Sequence, residues 1–330
     1  MKRYFVGLVG MAALLGGCAQ FSKQDDNSAA ATVLKGSVST FAAHAYFRWF
    51  NQLAVNENVN VELDSTGSGV STRRFMAGDV DFASTDSPPS SQEIKAAPRG
   101  LLAFPVTAGS IAVAYNLPGC KLRLSRSQLV DLFLGRITNF AQLGCQDQPI
   151  TLLHRRDPSG TTANFTASLA AVSSQWRQTY GSGRVVAWPI GTAVVGSDGM
   201  AVELTAIRGS VGYIESLYIR FPLQAASLEN RAGQFVRPDS SSGARALASI
   251  DLDNRLLGQN PDPPDGYPIV NLNWILVPVS VSAARLPALK TSLSYILSQA
   301  GQDDAEQLGY LPLPMPLRNQ ALSQLSLLKR

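Results

Sequence analysis

Apolar positions along this chain switch repeatedly between a period of two and a period near 3.6, as strands alternating with helices require. Val59-Asn60-Val61-Glu62-Leu63 alternates strictly, while Ile111 to Tyr115, Ile150 to Leu153 and Trp274 to Val279 are apolar runs of buried-strand length. Between them, Tyr46, Trp49, Phe50 and Leu53 fall on one helical face, and Phe165, Leu169, Val172 and Trp176 do likewise. Ser127 is placed to cap a helix that carries Leu129, Val130, Phe133 and Leu134 and stops at Gly135. The aromatic stripes read as core. This alternation predicts an α/β protein. Residues 230–264, rich in Ser, Gly, Asp and Pro, predict long loops around a short helix at Ala244 to Ile250.

The N-terminal end follows another pattern. Lys2 and Arg3 precede an apolar run, Tyr4 to Leu15, that is too short to span a bilayer. The run ends in Leu15-Gly16-Gly17-Cys18, which resembles the lipobox of bacterial lipoproteins. That resemblance implies a signal peptide over residues 1–18, with Cys18 carrying lipid outside the cytoplasm; an ordinary signal peptide cut nearby is the other reading. Residues 19–31, polar and small, then read as a flexible tether. The formal charge of +4 falls to +2 once Lys2 and Arg3 are removed. No run of Lys or Arg is long enough to suggest a nucleic-acid partner. Cys120 and Cys145 form an even pair in an oxidising compartment and predict a disulfide. With two distant histidines, His44 and His154, the chain offers no zinc site and no metal is expected. The roughly 300 residues that remain exceed one core and predict two domains.

Candidate chemistry lies at three helix starts rich in Ser, Thr and Gly. The first is Gly36-Ser37-Val38-Ser39-Thr40-Phe41, the second Thr66-Gly67-Ser68-Gly69, and the third Arg155-Arg156-Asp157-Pro158-Ser159-Gly160-Thr161-Thr162. The first amides of a helix have no intrahelical partner and carry the positive end of its dipole, so such a start is an anion seat. An arginine adds a permanent charge in a planar fork suited to oxyanions. Each start alone is also what an ordinary helix cap requires. One carboxylate changes the picture: Asp86, before Ser87-Pro88, whereas Asp79 and Asp81 read as solvated turn residues. Facing an anion, Asp86 would accept a proton that phosphate still carries and sulfate lacks, and a site built to pair with a ligand hydrogen rejects the analogue without it by about 10⁴-fold or more.

The three segments, with Asp81-Phe82 through Asp86, resemble the ligand loops of periplasmic phosphate-binding proteins, the substrate-binding lipoproteins of phosphate ABC transporters (PstS type). The resemblance continues through Phe104-Pro105-Val106, Tyr115-Asn116-Leu117-Pro118-Gly119, Leu132-Phe133-Leu134-Gly135, Trp188-Pro189-Ile190-Gly191, Ser197-Asp198-Gly199 and Gly209 to Glu215, in order. It implies a two-lobed α/β periplasmic-binding-protein fold of type II with the ligand in the cleft. Lobe I would comprise 32–107 plus 276–330, and lobe II with the hinge crossings 108–275. It also implies roles for residues. Thr40 would bind by hydroxyl and backbone, Phe41 by its amide, Ser68 by hydroxyl and amide, and Asp86 as proton acceptor. Arg155 would be the charged donor, with Asp157 holding its fork, and Ser159, Gly160 and Thr161 would give amides and hydroxyls. Counting back from Ser159 favours Arg155 over Arg156. Pro158, Ala42 and Val70 depart from the family pattern.

The same resemblance implies transmembrane permease subunits as partner, a monomer, and no cofactor or covalent chemistry. The rival reading, an extracellular hydrolase with Ser68 or Ser159 as nucleophile, lacks a G-x-S-x-G elbow and a histidine in triad context. A second rival keeps the same fold but senses phosphate or arsenate rather than delivering it, and arsenate, which shares phosphate's proton, stays open as a ligand.

Overall fold

The computed structural model describes residues 33–330; the signal peptide, Cys18 and the tether lie outside the described residues. In chain order come β1 (Val33–Val38), α1 (Ala43–Glu57), β2 (Asn60–Ser65), α2 (Ser68–Ala77), β3 (Phe82–Thr85), α3 (Ser91–Ala96) and the long strand β4 (Leu102–Tyr115). Next are β5 (Arg123–Leu124), α4 (Arg126–Phe133), β6 (Thr151–Arg155), α5 (Gly160–Val172), α6 (Ser174–Thr179), β7 (Thr192–Val194), α7 (Gly196–Ala206) and β8 (Ser210–Glu215). The remainder is β9 (Gln224–Ala225), β10 (Ser227–Glu229), β11 (Phe235–Val236), α8 (Ser240–Leu247), β12 (Val270–Val277), α9 (Leu286–Ile296), α10 (Gln299–Gln307) and α11 (Met315–Ser323).

The main sheet runs β2-β1-β3-β12-β4-β8-β6-β7. Strands β1, β2 and β3 are mutually parallel, as are β6, β7 and β8, and the crossovers between them are helical. Strand β4 joins the two halves, pairing with β12 from Leu102 to Ser110 and with β8 from Ile111 to Tyr115. Strands β4 and β12 are buried on both faces, with Thr107, Ser110, Asn271 and Asn273 as buried polar positions among their apolar residues. Pro105 interrupts the ladder because it has no N–H to give. The register of β12 against β4 shifts at that point, between Asn273 and Trp274, and the carbonyl of Val106 instead takes Gln302 Nε2 at 2.9 Å.

Each half has its own aromatic packing. Tyr46 meets Trp49 edge-on at 5.2 Å and Phe50 stacks on Phe82 at 5.1 Å, while Phe165 lies flat on Tyr213 at 4.4 Å with Phe133 edge-on to it. Cys120 and Cys145 form the expected disulfide, with Cα atoms 5.4 Å apart.

Several local expectations need correction. The cap of α4 is Ser125, not Ser127, because Gln128 lies three residues on and completes a reciprocal capping box. Trp176 is core but not on the helix of Phe165; the chain breaks at Ser173, whose hydroxyl caps α6 by accepting from the Trp176 amide. Asp81 is buried rather than solvated, accepting from the Lys35 amide at 2.9 Å and facing Arg285 at 3.1 Å. The helix expected at Ala244 to Ile250 is α8, moved toward the N-terminus because Asp239 caps it.

Candidate functional site

All three Ser/Thr/Gly segments lie where a parallel strand ends and a helix begins: β1 into α1, β2 into α2, and β6 into α5. Ligand sites in open α/β sheets form outside these carboxyl ends. Asp86, one residue beyond β3, stands among them.

Asp86 is 1% exposed and held from three directions. Its Oδ1 accepts from Ser39 Oγ and Asn273 Nδ2, both at 2.7 Å, and its Oδ2 accepts from Ser68 Oγ at 2.7 Å. The Asn273 amide is itself oriented, because Tyr46 OH donates to its Oδ1 at 3.0 Å. Burial pushes the Asp86 carboxyl above its usual range, while Ser68, Asn273, Ser39 and the charge of Arg155 pull it back. These donors favour the ionised, accepting form, and Oδ2 is the less occupied oxygen.

Helix α5 comes in against this acid. A Cβ on Gly160 would stand 2.6 Å from Asp86 Cβ and 2.6 Å from Ser68 Oγ, so only glycine lets the helix start approach this closely. A Cβ on Gly69 would likewise run into Pro158, and the Gly69 amide donates to the Pro158 carbonyl at 3.0 Å. Asn164 Nδ2 spans the same junction, donating to the carbonyls of Asp86 at 2.6 Å and Gly160 at 2.9 Å. The segments of the two sheet halves thus meet face to face.

Arg155 is 5% exposed and its fork is fixed. Nε donates to Asp157 Oδ1 at 2.8 Å and Nη2 to Oδ2 at 2.5 Å. Nη2 also reaches Thr40 Oγ1 at 3.0 Å and Nη1 reaches Ser197 Oγ at 3.2 Å. Burial opposes the arginine's charge, but the Asp157 carboxylate outweighs it and holds the pKa above the ordinary value. Asp157 is correspondingly lowered: burial raises it, and Arg155 with the Gly196 amide more than offsets that. Behind this pair, Tyr213 OH accepts from the Arg155 amide at 3.0 Å and pairs with Thr162 Oγ1 at 2.7 Å. The aromatic stack of Tyr213, Phe165 and Trp188 therefore sets the height of both the arginine and the helix start.

Ser159 caps α5, its hydroxyl accepting from the Thr162 amide at 3.2 Å, and its own amide is taken by the Arg184 carbonyl at 2.9 Å. The amides of Gly160 and Thr161 head the helix and have no protein acceptor among the described residues. Thr161 Oγ1 points to Glu215 at 3.0 Å. Arg156, the alternative arginine, is exposed, and its amide goes to the Val194 carbonyl.

A family model described as a PBP superfamily domain matches residues 25–299. A phosphate-binding protein PstS of Xylella fastidiosa is 32% identical over 87% of this chain and 83% of its own length. The Pasteurella multocida protein of the same name is 30% identical over 86% and 87%. This chain belongs to the PstS family. Among solved structures, a phosphate-binding protein from Stenotrophomonas maltophilia superposes with a TM-score of 0.70 at 19% identity, covering 89% of this chain and 94% of that one. An ABC-type phosphate transport receptor from Vibrio cholerae gives 0.60 at 19%, covering 85% and 100%. At that identity the likeness is one of fold, the two-lobed type II architecture.

Thr40, Ser68, Asp86, Arg155, Asp157, Ser159, Gly160 and Thr161 are brought together, and Phe41 is buried beside them with its carbonyl accepting from Tyr310 OH at 2.8 Å. Sequence reasoning missed Ser39, Asn273, Ser197, Asn164 and Glu215, which hold these groups in place. Two had a visible signal. Asn273 is a polar residue inside the apolar run of β12, where an unpaired amide would be costly. Ser197 follows a glycine at a helix start, as Ser68 does.

Proposed function

We propose that this chain binds inorganic phosphate outside the plasma membrane and hands it to the permease of an ABC transporter. The observation that carries the reading is Asp86: a buried carboxylate, packed against a helix start and facing the single fork of Arg155. An anion site needs a reason to contain an acid, and a ligand that still carries a proton supplies it. The bound ion would accept from Thr40, Ser68, Arg155 and the amides of Phe41, Gly160 and Thr161, and would donate to Asp86. Several donors to charge, each contributing about 1.5–3 kcal/mol, hold a desolvated oxyanion without further cations.

Lobe I is taken as 32–107 plus 276–330 and lobe II as 108–275, with β4 and β12 as the crossings. Closure by hinge motion then brings Gly69 to Pro158 and Asn164 to Asp86, and presents a continuous surface to the permease. The relatives named for phosphate binding support the ligand class. Lipid on Cys18 would anchor a monomer to the membrane. No covalent step is required, so the chain is read as a binding protein and not an enzyme.

Titration calorimetry with phosphate, arsenate and sulfate at constant ionic strength tests this. Phosphate and arsenate should bind tightly and sulfate should not. A protein that takes up sulfate as well as phosphate would refute the reading.

A further inference from the structure

Glu215 ends β8 beside the site, is 2% exposed, and its Oε2 has no hydrogen-bond partner. Its Oε1 lies 3.0 Å from Thr161 Oγ1 and 3.1 Å from Ser197 Oγ. Ser197 Oγ is in turn the acceptor of Arg155 Nη1 at 3.2 Å. The glutamate therefore stands behind two hydroxyls that frame the anion seat, and its protonation state decides which way they point.

If Glu215 were ionised, Oε1 would draw both hydroxyl protons. Thr161 would then turn its lone pairs toward the cleft, where an oxyanion would meet an acceptor. An ionised, fully buried carboxylate would also keep one oxygen unsatisfied, which is costly. If Glu215 is neutral, Oε1–H donates to Thr161 Oγ1, and the threonine proton turns outward as a donor. Ser197 has a second outlet, since its hydroxyl also lies 3.1 Å from Thr40 Oγ1.

We propose that Glu215, held as a neutral acid, is the positioning residue that makes the Thr161 hydroxyl a donor to the bound anion. This rests on the phosphate reading above. The charged and titratable groups around it act in both directions. Burial is the largest influence and raises its pKa; Arg155 lowers it, and Asp86 raises it. The Tyr218 and Tyr310 phenols lie near it too, their own pKa values raised chiefly by burial. Asp86 would then accept a hydrogen bond from the ligand, and Glu215 works on the opposite side through a threonine.

Phosphate calorimetry on Glu215→Gln, Glu215→Ala, Thr161→Val and the two doubles with Thr161→Val tests the relay. Glutamine offers an N–H to Thr161 at every pH, so Glu215→Gln should bind within ~3-fold of the parent. Glu215→Ala and Thr161→Val should each weaken binding by ~10-fold, the size of one hydrogen bond to a charged group. Combining them should cost little beyond Thr161→Val alone, because Glu215 acts only through that hydroxyl. Should Glu215→Ala fail to fold, Glu215→Leu, which refills the volume, takes its place. Losses that multiply in the double variant, or a Gln variant as weak as Ala, would overturn the proposal. A parent that takes up no phosphate at all would instead remove the phosphate reading itself.

Discussion

Replacing Asp86 with asparagine is the sharpest test of selectivity, because the surrounding bonds dictate how the new amide must sit. Asn273 Nδ2 and Ser39 Oγ both donate to Oδ1 at 2.7 Å, and Tyr46 fixes Asn273 from behind. In Asp86→Asn the new side-chain carbonyl must therefore occupy the Oδ1 place, and the new NH2 the Oδ2 place next to Ser68 and Gly160. An acceptor becomes a donor at the oxygen that would face the bound phosphate. For phosphate this loses a charge-assisted bond of about 1.5–3 kcal/mol, or ~10 to ~150-fold in affinity. For sulfate it exchanges a buried like charge for a donor, with a gain of similar size. The phosphate-to-sulfate ratio should fall by ~10²-fold or more. Calorimetric titration of both anions, with phosphate displacement as a cross-check, measures the ratio. A ratio unchanged within about threefold would refute the argument that Asp86 selects by proton acceptance.

Three further outcomes are expected. The Cys120–Cys145 bond closes a loop of 25 residues, so replacing both cysteines by serine should destabilise by about 3.5 kcal/mol and lower Tm by ~5 °C. Phosphate affinity should be nearly intact, since no side chain of the closed segment hydrogen-bonds to the site; calorimetry and thermal denaturation separate the two. Arg184 crosses from the α6–β7 segment to Glu93 at 2.8 Å and to Ser87 Oγ at 2.8 Å, so Arg184→Met should weaken phosphate binding by ~5-fold, as a partly exposed ion pair contributes about 1 kcal/mol. Burial alone would raise the Glu93 pKa, but the Ser90 amide and Arg184 hold it below the carboxylate range. Its contribution is therefore complete above the unfolded-state pKa and is lost as pH falls through the lowered native value. The Tm difference between Glu93→Gln and the parent should be constant through neutral pH and vanish only in acid; a difference that grows toward acid would refute it.

Much of the architecture was legible because hydrophobic period reports burial directly. The strands at Ile111 to Tyr115 and Trp274 to Val277 and the helix of Trp49 follow from it. The three helix starts were legible too, because a helix start needs Ser, Thr or Gly. What was not legible is long-range partnership. Asp81 reads as a turn residue until Lys35 and Arg285 close around it, whereas the Ser125 cap is readable locally from Gln128 three residues on. Glu215 stands at the end of an apolar strand, and only the fold brings Thr161 and Ser197 to it, 54 and 18 residues away.

The missing N–H of Pro105 has an effect beyond its own strand. Because the ladder slips there, Asn273 faces Thr107 in the pair while Trp274 faces Pro105, leaving Val106 as the extra residue. The kink thus lies in the same two strands that carry the chain between its halves, and at the amide that steadies Asp86. If the molecule closes on phosphate as proposed, flexure and recognition of the ion would be one mechanical event: any change that straightens this pair of strands should stiffen the jaw and detune its bite together.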